Sequence, residues 1–220
     1  IHKRMTDELE LLKKDWQKKE FNIPKLSYED IHKMIWKKSS SIVKWILIIS
    51  ILEFTLPHLL YLLPSMQEGM EVYKKIGVSK YLFILSILTY AVAFYFIFQF
   101  YQRFKEISVL DNSKNLMRKI IKTRRTVKHY VIFSLSMIMV TIIIMIIGVY
   151  LSDNITLAFP ELKEGLKNIS PEKLKITVML SMGIFGIILT LFMGGIYFLL
   201  YGLLLRKLKK NYSELRQLEF

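Results

Sequence analysis

Four long apolar runs constrain this chain more than any other feature of its sequence. They cover residues 42–63, 82–101, 131–151 and 176–205. Each reaches the roughly 20 residues that a helix needs to cross a hydrocarbon core. Strands of a transmembrane barrel would be shorter and would alternate polar with apolar residues, which these runs do not do. The fold class that follows is all-α: a polytopic membrane protein with four transmembrane helices and helical extensions on one side. The first run begins about forty residues in, behind a charged tail, so it is expected to act as a retained span rather than a cleaved leader.

Orientation follows from the basic residues. Of the 32 Lys and Arg, ten lie in 1–41, nine in 102–130 and five in 206–220. The other two connections, 64–81 and 152–175, hold three and four, and Lys44 stands just inside the first run. Short loops rich in Lys and Arg stay on the cytoplasmic side. Both termini and the middle connection are therefore expected inside, in a bacterial cytoplasmic (inner) membrane. The net charge of +14 reads as a topology signal, and nucleic acid is not expected as a partner, because no aromatic-and-basic motif accompanies the charge. The expected division is a cytoplasmic amphipathic N-terminal region over 1–41, a transmembrane domain over 42–205 and a cytoplasmic C-terminal helix over 206–220.

Outside the spans, Leu9, Leu12 and Trp16 recur at helical spacing, one apolar face among lysines. Ser27 and Asp30 form a capping-box pattern that opens a second helix, whose stripe is Ile31, Met34 and Ile35. That helix is expected to run through Ser39–Ser41 into the first span. A stripe of three apolar residues is too short to stand alone in water, so Leu9, Leu12, Trp16, Ile31, Met34 and Ile35 are candidate partner-binding residues. On the middle connection, Arg118, Lys119, Lys122, Arg124 and Arg125 surround an apolar stripe and are candidates for contact with anionic lipid or an acidic protein. Ser170-Pro171-Glu172 marks a helix start ahead of the fourth apolar run.

Within the spans, Glu53 and Pro57 stand out. A carboxyl near the middle of a span costs about 2.5–3.5 kcal/mol on insertion scales. Pro57 cannot donate to the carbonyl of Glu53, so the helix is expected to kink there. Two readings apply: a proton or cation site facing the bundle interior, or a neutral carboxyl that donates to Thr89, Thr141, Thr190 or a backbone carbonyl at similar depth. Gly186, Thr190 and Gly194 form a ladder of small residues that lets helices approach closely. It serves packing within one chain or, alternatively, a homodimer seam.

Enzymatic chemistry finds little support. The chain has no cysteine, no phosphate-binding loop and no serine-hydrolase or kinase signature. His2, His32, His58 and His129 are scattered, and no ligand spacing joins them. No catalytic residue, metal or cofactor is assigned.

The stretch DELELLKKDWQKKE followed by LSYEDIHKMIWKKSSSIVKWILIISILEF resembles a group of small membrane proteins from Bacteroidetes, chiefly flavobacteria. In that group a Leu-Lys-x-x-Trp-Gln helix precedes a Lys-Ser-Ser-Ser juncture and the first span. The resemblance covers the first quarter of the chain and implies an anti-sigma-like or accessory membrane regulator. Some members bear the name carotene oxygenase. The four-histidine iron site implied by that name cannot be assembled from the four positions above.

Three functions follow in order of preference. The first is a non-enzymatic membrane protein that binds or regulates a soluble cytoplasmic partner, for which the resemblance implies a sigma factor. The second is an accessory or scaffold subunit of a larger inner-membrane complex. The third is a small proton-coupled transporter using Glu53. Topology is testable directly, because the chain is free of cysteine. Single cysteines at Ser113 and Asn168 should react with an impermeant thiol reagent on intact cells only at 168; labelling of 113 alone would invert the orientation.

Overall fold

The computed structural model describes residues 10, 13–14, 27–60, 64–108, 110–152 and 170–218. These residues form helices and, among them, no strand. Helix α1 is Tyr28–Leu60, α2 Pro64–Lys75, α3 Ser79–Ser108, α4 Ser113–Leu151, α5 Pro171–Tyr197 and α6 Leu203–Leu218, with a π-helical turn at Phe198–Gly202 joining the last two. Four helical stretches are long and apolar enough to cross a membrane: α1, α3, α4 and the continuous Pro171–Gln217.

Local chemistry sets the helix starts. Ser27 and Asp30 form a reciprocal capping box, the Asp30 N–H donating to Ser27 Oγ at 3.1 Å and the Ser27 N–H to Asp30 Oδ2 at 3.3 Å. The helix then runs unbroken through Ser39–Ser41 to Leu60. Asn112 caps α4 by accepting from the Asn115 N–H at 2.9 Å, and α5 opens with Pro171 at its first position. Helix α2 lies in a connection with no apolar run to announce it. It ends where Gly77 adopts φ +82, a left-handed conformation that glycine takes without steric penalty. There the Gly77 N–H donates to the Lys74 carbonyl and the Val78 N–H to that of Tyr73.

The four long helices form an antiparallel ring. α1 lies beside α3 and α6, and α4 beside α3, α5 and α6. Trp36 of α1 donates from Nε1 to the Ile107 carbonyl of α3 at 2.7 Å, while further along Phe54 meets Tyr90 and Phe94. The outward faces are apolar: Leu191 is 71% exposed and Phe83 68%. Continuous apolar surface of this extent suits lipid rather than water.

Packing is concentrated at the two ends. At one end, called here the basic end, Ile35, Val43, Ile46, Ile107, Ile120 and Leu208 belong to a buried core drawn from α1, α3, α4 and α6. Buried Asn211 donates to buried Ser39 at 2.9 Å and ties α6 to α1. At the opposite end a smaller core joins Ile76, Val78, Val149, Leu174 and Val178. Gly148 makes that core possible, since a Cβ there would overlap the Val78 side chain and stand 2.8 Å from Ile76 Cγ2.

One expectation changes at this level. Ser113 is buried and hydrogen-bonded to the Tyr28 hydroxyl at 2.7 Å, so a topology reporter on that connection belongs at exposed Lys114. Leu110 lies beyond the end of α3. Ile121 is 48% exposed, while Leu116, Ile120 and Val127 fill the buried face of α4. Gly148→Ala is expected to destabilise the fold by about 1–3 kcal/mol through overpacking. A melting curve in detergent reads this directly.

Candidate functional site: the Glu53 cavity and the basic groove

Between the two packed ends the bundle is hollow. A cavity of about 500 Å³ lies among α1, α3, α4 and α5, with Tyr73 of α2 and Leu82 at one end and Glu53, Tyr130 and Tyr197 at the other. A helix tilts its side chains towards its own N-terminus, so Glu53 leans towards the basic end. There the Tyr197 hydroxyl donates to Glu53 Oε1. The Tyr201 hydroxyl donates to Oε2 at 2.9 Å. Tyr201 is 1% exposed, and the two tyrosines sit on either side of the junction between α5 and the π-helical turn. Tyr130 packs edge-on against both, with centroids 6.4 and 5.8 Å away, and Phe96 and Phe100 close over Tyr130. The cavity is thus floored by a carboxyl and an aromatic cluster.

This arrangement replaces the expected partners of Glu53. Thr89 donates to the Leu85 carbonyl, Thr141 to that of Met137 and Thr190 to that of Gly186, each on its own helix. A threonine in a helix reaches the carbonyl four residues back more easily than a neighbouring helix. Glu53 therefore accepts from tyrosines instead of donating to a threonine. Pro57 lies inside α1 and lines the cavity together with His58. The sequence puts His58 about 140° around the helix from Glu53, yet both line the same cavity, which reaches around α1. His58 Nδ1 lies 2.7 Å from the Phe54 carbonyl; a carbonyl only accepts, so Nδ1 is the donor.

The small-residue ladder faces the inside of the bundle. A Cβ on Gly186 would stand 2.7 Å from Ile142 of α4. Thr190 Oγ lies 3.2 Å from Met139 Sδ, and Gly194 faces Leu135 at 4.0 Å. The ladder thus seats α5 on α4 within one chain.

Leu9, Leu12 and Trp16 lie outside the described residues. Of the second stripe, Ile35 is buried and Ile31 packs on the same core, so neither is offered to a partner: the helix face they occupy is already covered by the bundle. Met34 is 46% exposed. It lines a groove of about 640 Å³ between α1 and α6, with Lys37, Lys38, Ser41, Ile42, Lys207, Lys210, Asn211 and Glu214. Lys210 pairs loosely with Glu214 at 3.8 Å. Lys37, Lys38 and Lys207 form no ion pair among the described residues. The sequence held a signal for this groove in lysines on both sides of the apolar runs, but not in the pairing of α1 with α6.

The basic row of α4 divides. Arg118, Lys122 and Arg125 are exposed. Lys119 is drawn inward, donating to the Glu106 carbonyl at 2.8 Å and pairing with Asp111 at 3.0 Å. The Asn115 amide foremost, then Lys119 and the Asn112 N–H, hold the Asp111 carboxyl below its ordinary pKa. Arg124 is half-buried, its Nε without a hydrogen-bond partner among the described residues. Lys119 thus braces the turn between α3 and α4, and Arg124 lies half-buried further along α4. Among the described residues no group of three or more His, Asp or Glu is placed to hold a metal.

Residues 29–220 match the family described as Domain of unknown function (DUF8845). The chain belongs to that family. No curated protein and no solved structure matches it. The match takes in α1 to α6 from Glu29 onward, and so includes the cavity and the groove.

The roles of the polar residues predict different mutational outcomes. Tyr201→Phe leaves one half-buried oxygen of Glu53 short of a donor and should cost about 1–3 kcal/mol. Thr89→Val and Thr141→Val remove hydroxyls that serve only their own helices and should cost less than about 1 kcal/mol. Thermal melts in detergent measure both; a larger loss for the threonines than for Tyr201 would contradict the assignment.

Proposed function

We propose that this chain is a non-enzymatic, four-span protein of the bacterial cytoplasmic membrane that holds or regulates a soluble cytoplasmic partner at its basic end. The observation that carries the reading is the groove between α1 and α6. It combines exposed Met34 with Lys37, Lys38, Lys207 and Lys210, and its only acidic member among the described residues is Glu214. Like charges along one groove repel one another, and an acidic segment docked there relieves the repulsion. Met34 and Ile42 add apolar anchors, and methionine adapts to partners of different shape. The helix pair is held by the Asn211–Ser39 bond, so the groove exists before a partner arrives.

The topology belongs to the same proposal. The groove lies next to the first and fourth apolar runs, at the end that holds the described Lys and Arg of 27–41, 102–130 and 206–218. By the positive-inside rule this end is cytoplasmic. Exposed Arg118, Lys122 and Arg125 then lie near the inner leaflet, where anionic lipids attract them by about 1 kcal/mol per residue. The resemblance to anti-sigma-like membrane proteins makes a sigma factor one reasonable identity for the partner.

A second reading, proton-coupled transport, is favoured by one observation: the cavity ends on Glu53. Proton uptake into proteoliposomes separates the two. The binding reading expects no flux in the wild type; a flux that Glu53→Gln eliminates without loss of stability would establish transport instead.

The binding reading has its own test. Affinity capture from detergent extract should return a soluble protein with the wild type and lose most of it with Lys37→Glu/Lys38→Glu/Lys207→Glu. These side chains are exposed, so folding should persist within about 0.5 kcal/mol per site. Identical capture by both forms would remove the groove from the proposal.

A further inference from the structure

We propose that the cavity above Glu53 is a binding site for a lipophilic organic cation, a molecule with an apolar, aromatic body and one delocalised or quaternary positive charge. The inference does not depend on whether the basic groove holds a partner.

Size comes first. A volume of about 500 Å³ falls within the roughly 300–1,000 Å³ of small-molecule pockets. The lining then selects by chemistry. Among the described residues Glu53 is the only acidic side chain in the wall and no Lys or Arg lines it, while His58 spends its Nδ1 on the Phe54 carbonyl of its own helix. Glu53 forms no ion pair among the described residues. Tyr197 and Tyr201 give it hydrogen bonds, but phenols bring no positive charge. A carboxylate amid apolar side chains is strongly stabilised by a cation, and the low dielectric magnifies the attraction.

The wall hydroxyls point to the same ligand. Ser86, Thr89 and Thr141 each donate to the carbonyl four residues back, at Leu82, Leu85 and Met137. With their hydrogens so used, they offer the cavity only lone pairs. These three hydroxyls thus face a guest as acceptors, which repel an anion and welcome a positive charge. Much of the remaining wall is aromatic, Phe54, Tyr73, Tyr90, Tyr130, Phe133 and Tyr197, and most of the rest is aliphatic. Ring faces attract organic cations, more strongly when water is excluded. A compact inorganic ion would forgo those contacts, and a strongly hydrated ammonium would lose its water without replacement. The geometry fits a bulky, weakly hydrated cation.

Two probes of matched shape and opposite charge test this: tetraphenylphosphonium and tetraphenylborate. Calorimetric titration of the purified full-length chain in uncharged detergent should show saturable binding of the phosphonium. The borate should bind at least about tenfold more weakly, a difference of about 1.4 kcal/mol. Glu53→Gln should weaken phosphonium binding by a similar factor, and Glu53→Asp should keep most of it. If Glu53→Gln fails to fold, Ala93→Phe serves in its place: Ala93 lines the cavity, a phenyl ring would fill it, and phosphonium binding should vanish. Equal binding of both probes, no binding of the phosphonium, or phosphonium binding indifferent to the Glu53 and Ala93 variants would each overturn the proposal.

Discussion

A carboxyl group in the apolar middle of a helix bundle must be supplied with donors, and the way this chain supplies them organises the rest of the structure. Glu53 is received by Tyr197 and Tyr201, which lie 144 and 148 residues further along the chain. The bond therefore closes the ring of four helices, joining the first to the last. It also fixes where the interior is dense and where it is open. On the side of the basic end, the tyrosines, Phe96, Phe100 and Tyr130 pack ring against ring. On the other side lies the cavity.

The same bond links the cavity to the core of the basic end. Tyr197 lines the cavity, whereas Tyr201 is buried in the core of the basic end with Leu208 and Leu215 of α6. Tyr197 ends α5, and Tyr201 lies within the π-helical turn Phe198–Gly202 that follows it. Such turns interrupt the ordinary ladder of hydrogen bonds, and they recur at functional sites. Here Phe198 also carries Arg206 over its ring at 4.9 Å. Downstream, Lys207 and Lys210 of α6 line the groove. A guest that drew the Glu53 carboxylate towards the cavity would compete with the tyrosine bonds and bear on the helix that forms one wall of the groove. The proposed cation site and the proposed docking groove are thus joined by one continuous helix.

The sequence made some of this legible and hid the rest. Apolar runs as long as 131–151 leave little choice but a helix, and the Ser27–Asp30 and Ser170–Pro171 signals located two helix starts. Helix α2 carried no such run, and its end depends on the left-handed Gly77. Ile31, Met34 and Ile35 share a helical stripe, but periodicity cannot tell which members the chain itself will cover; packing against the other helices took Ile31 and Ile35 and left Met34. Glu53 was conspicuous because a carboxyl in a span is expensive. Its partners were not, since threonine and tyrosine are both plausible donors at that depth. The available hint was the i, i+4 pair Tyr197 and Tyr201, which places two hydroxyls on one face of a span. Helical threonines satisfy themselves on their own backbone, and that principle, applied early, would have favoured the tyrosines.

The central claim is that Glu53 and Tyr201 stabilise the bundle as a pair across the ring. A double-mutant cycle in detergent, using wild type, Glu53→Leu, Tyr201→Phe and the combined variant, measures this directly. Each single change leaves a buried polar group unpartnered, and the combined change removes that penalty, so the two losses should fall short of additivity by about 1–3 kcal/mol. Strict additivity within about 0.3 kcal/mol would contradict the account.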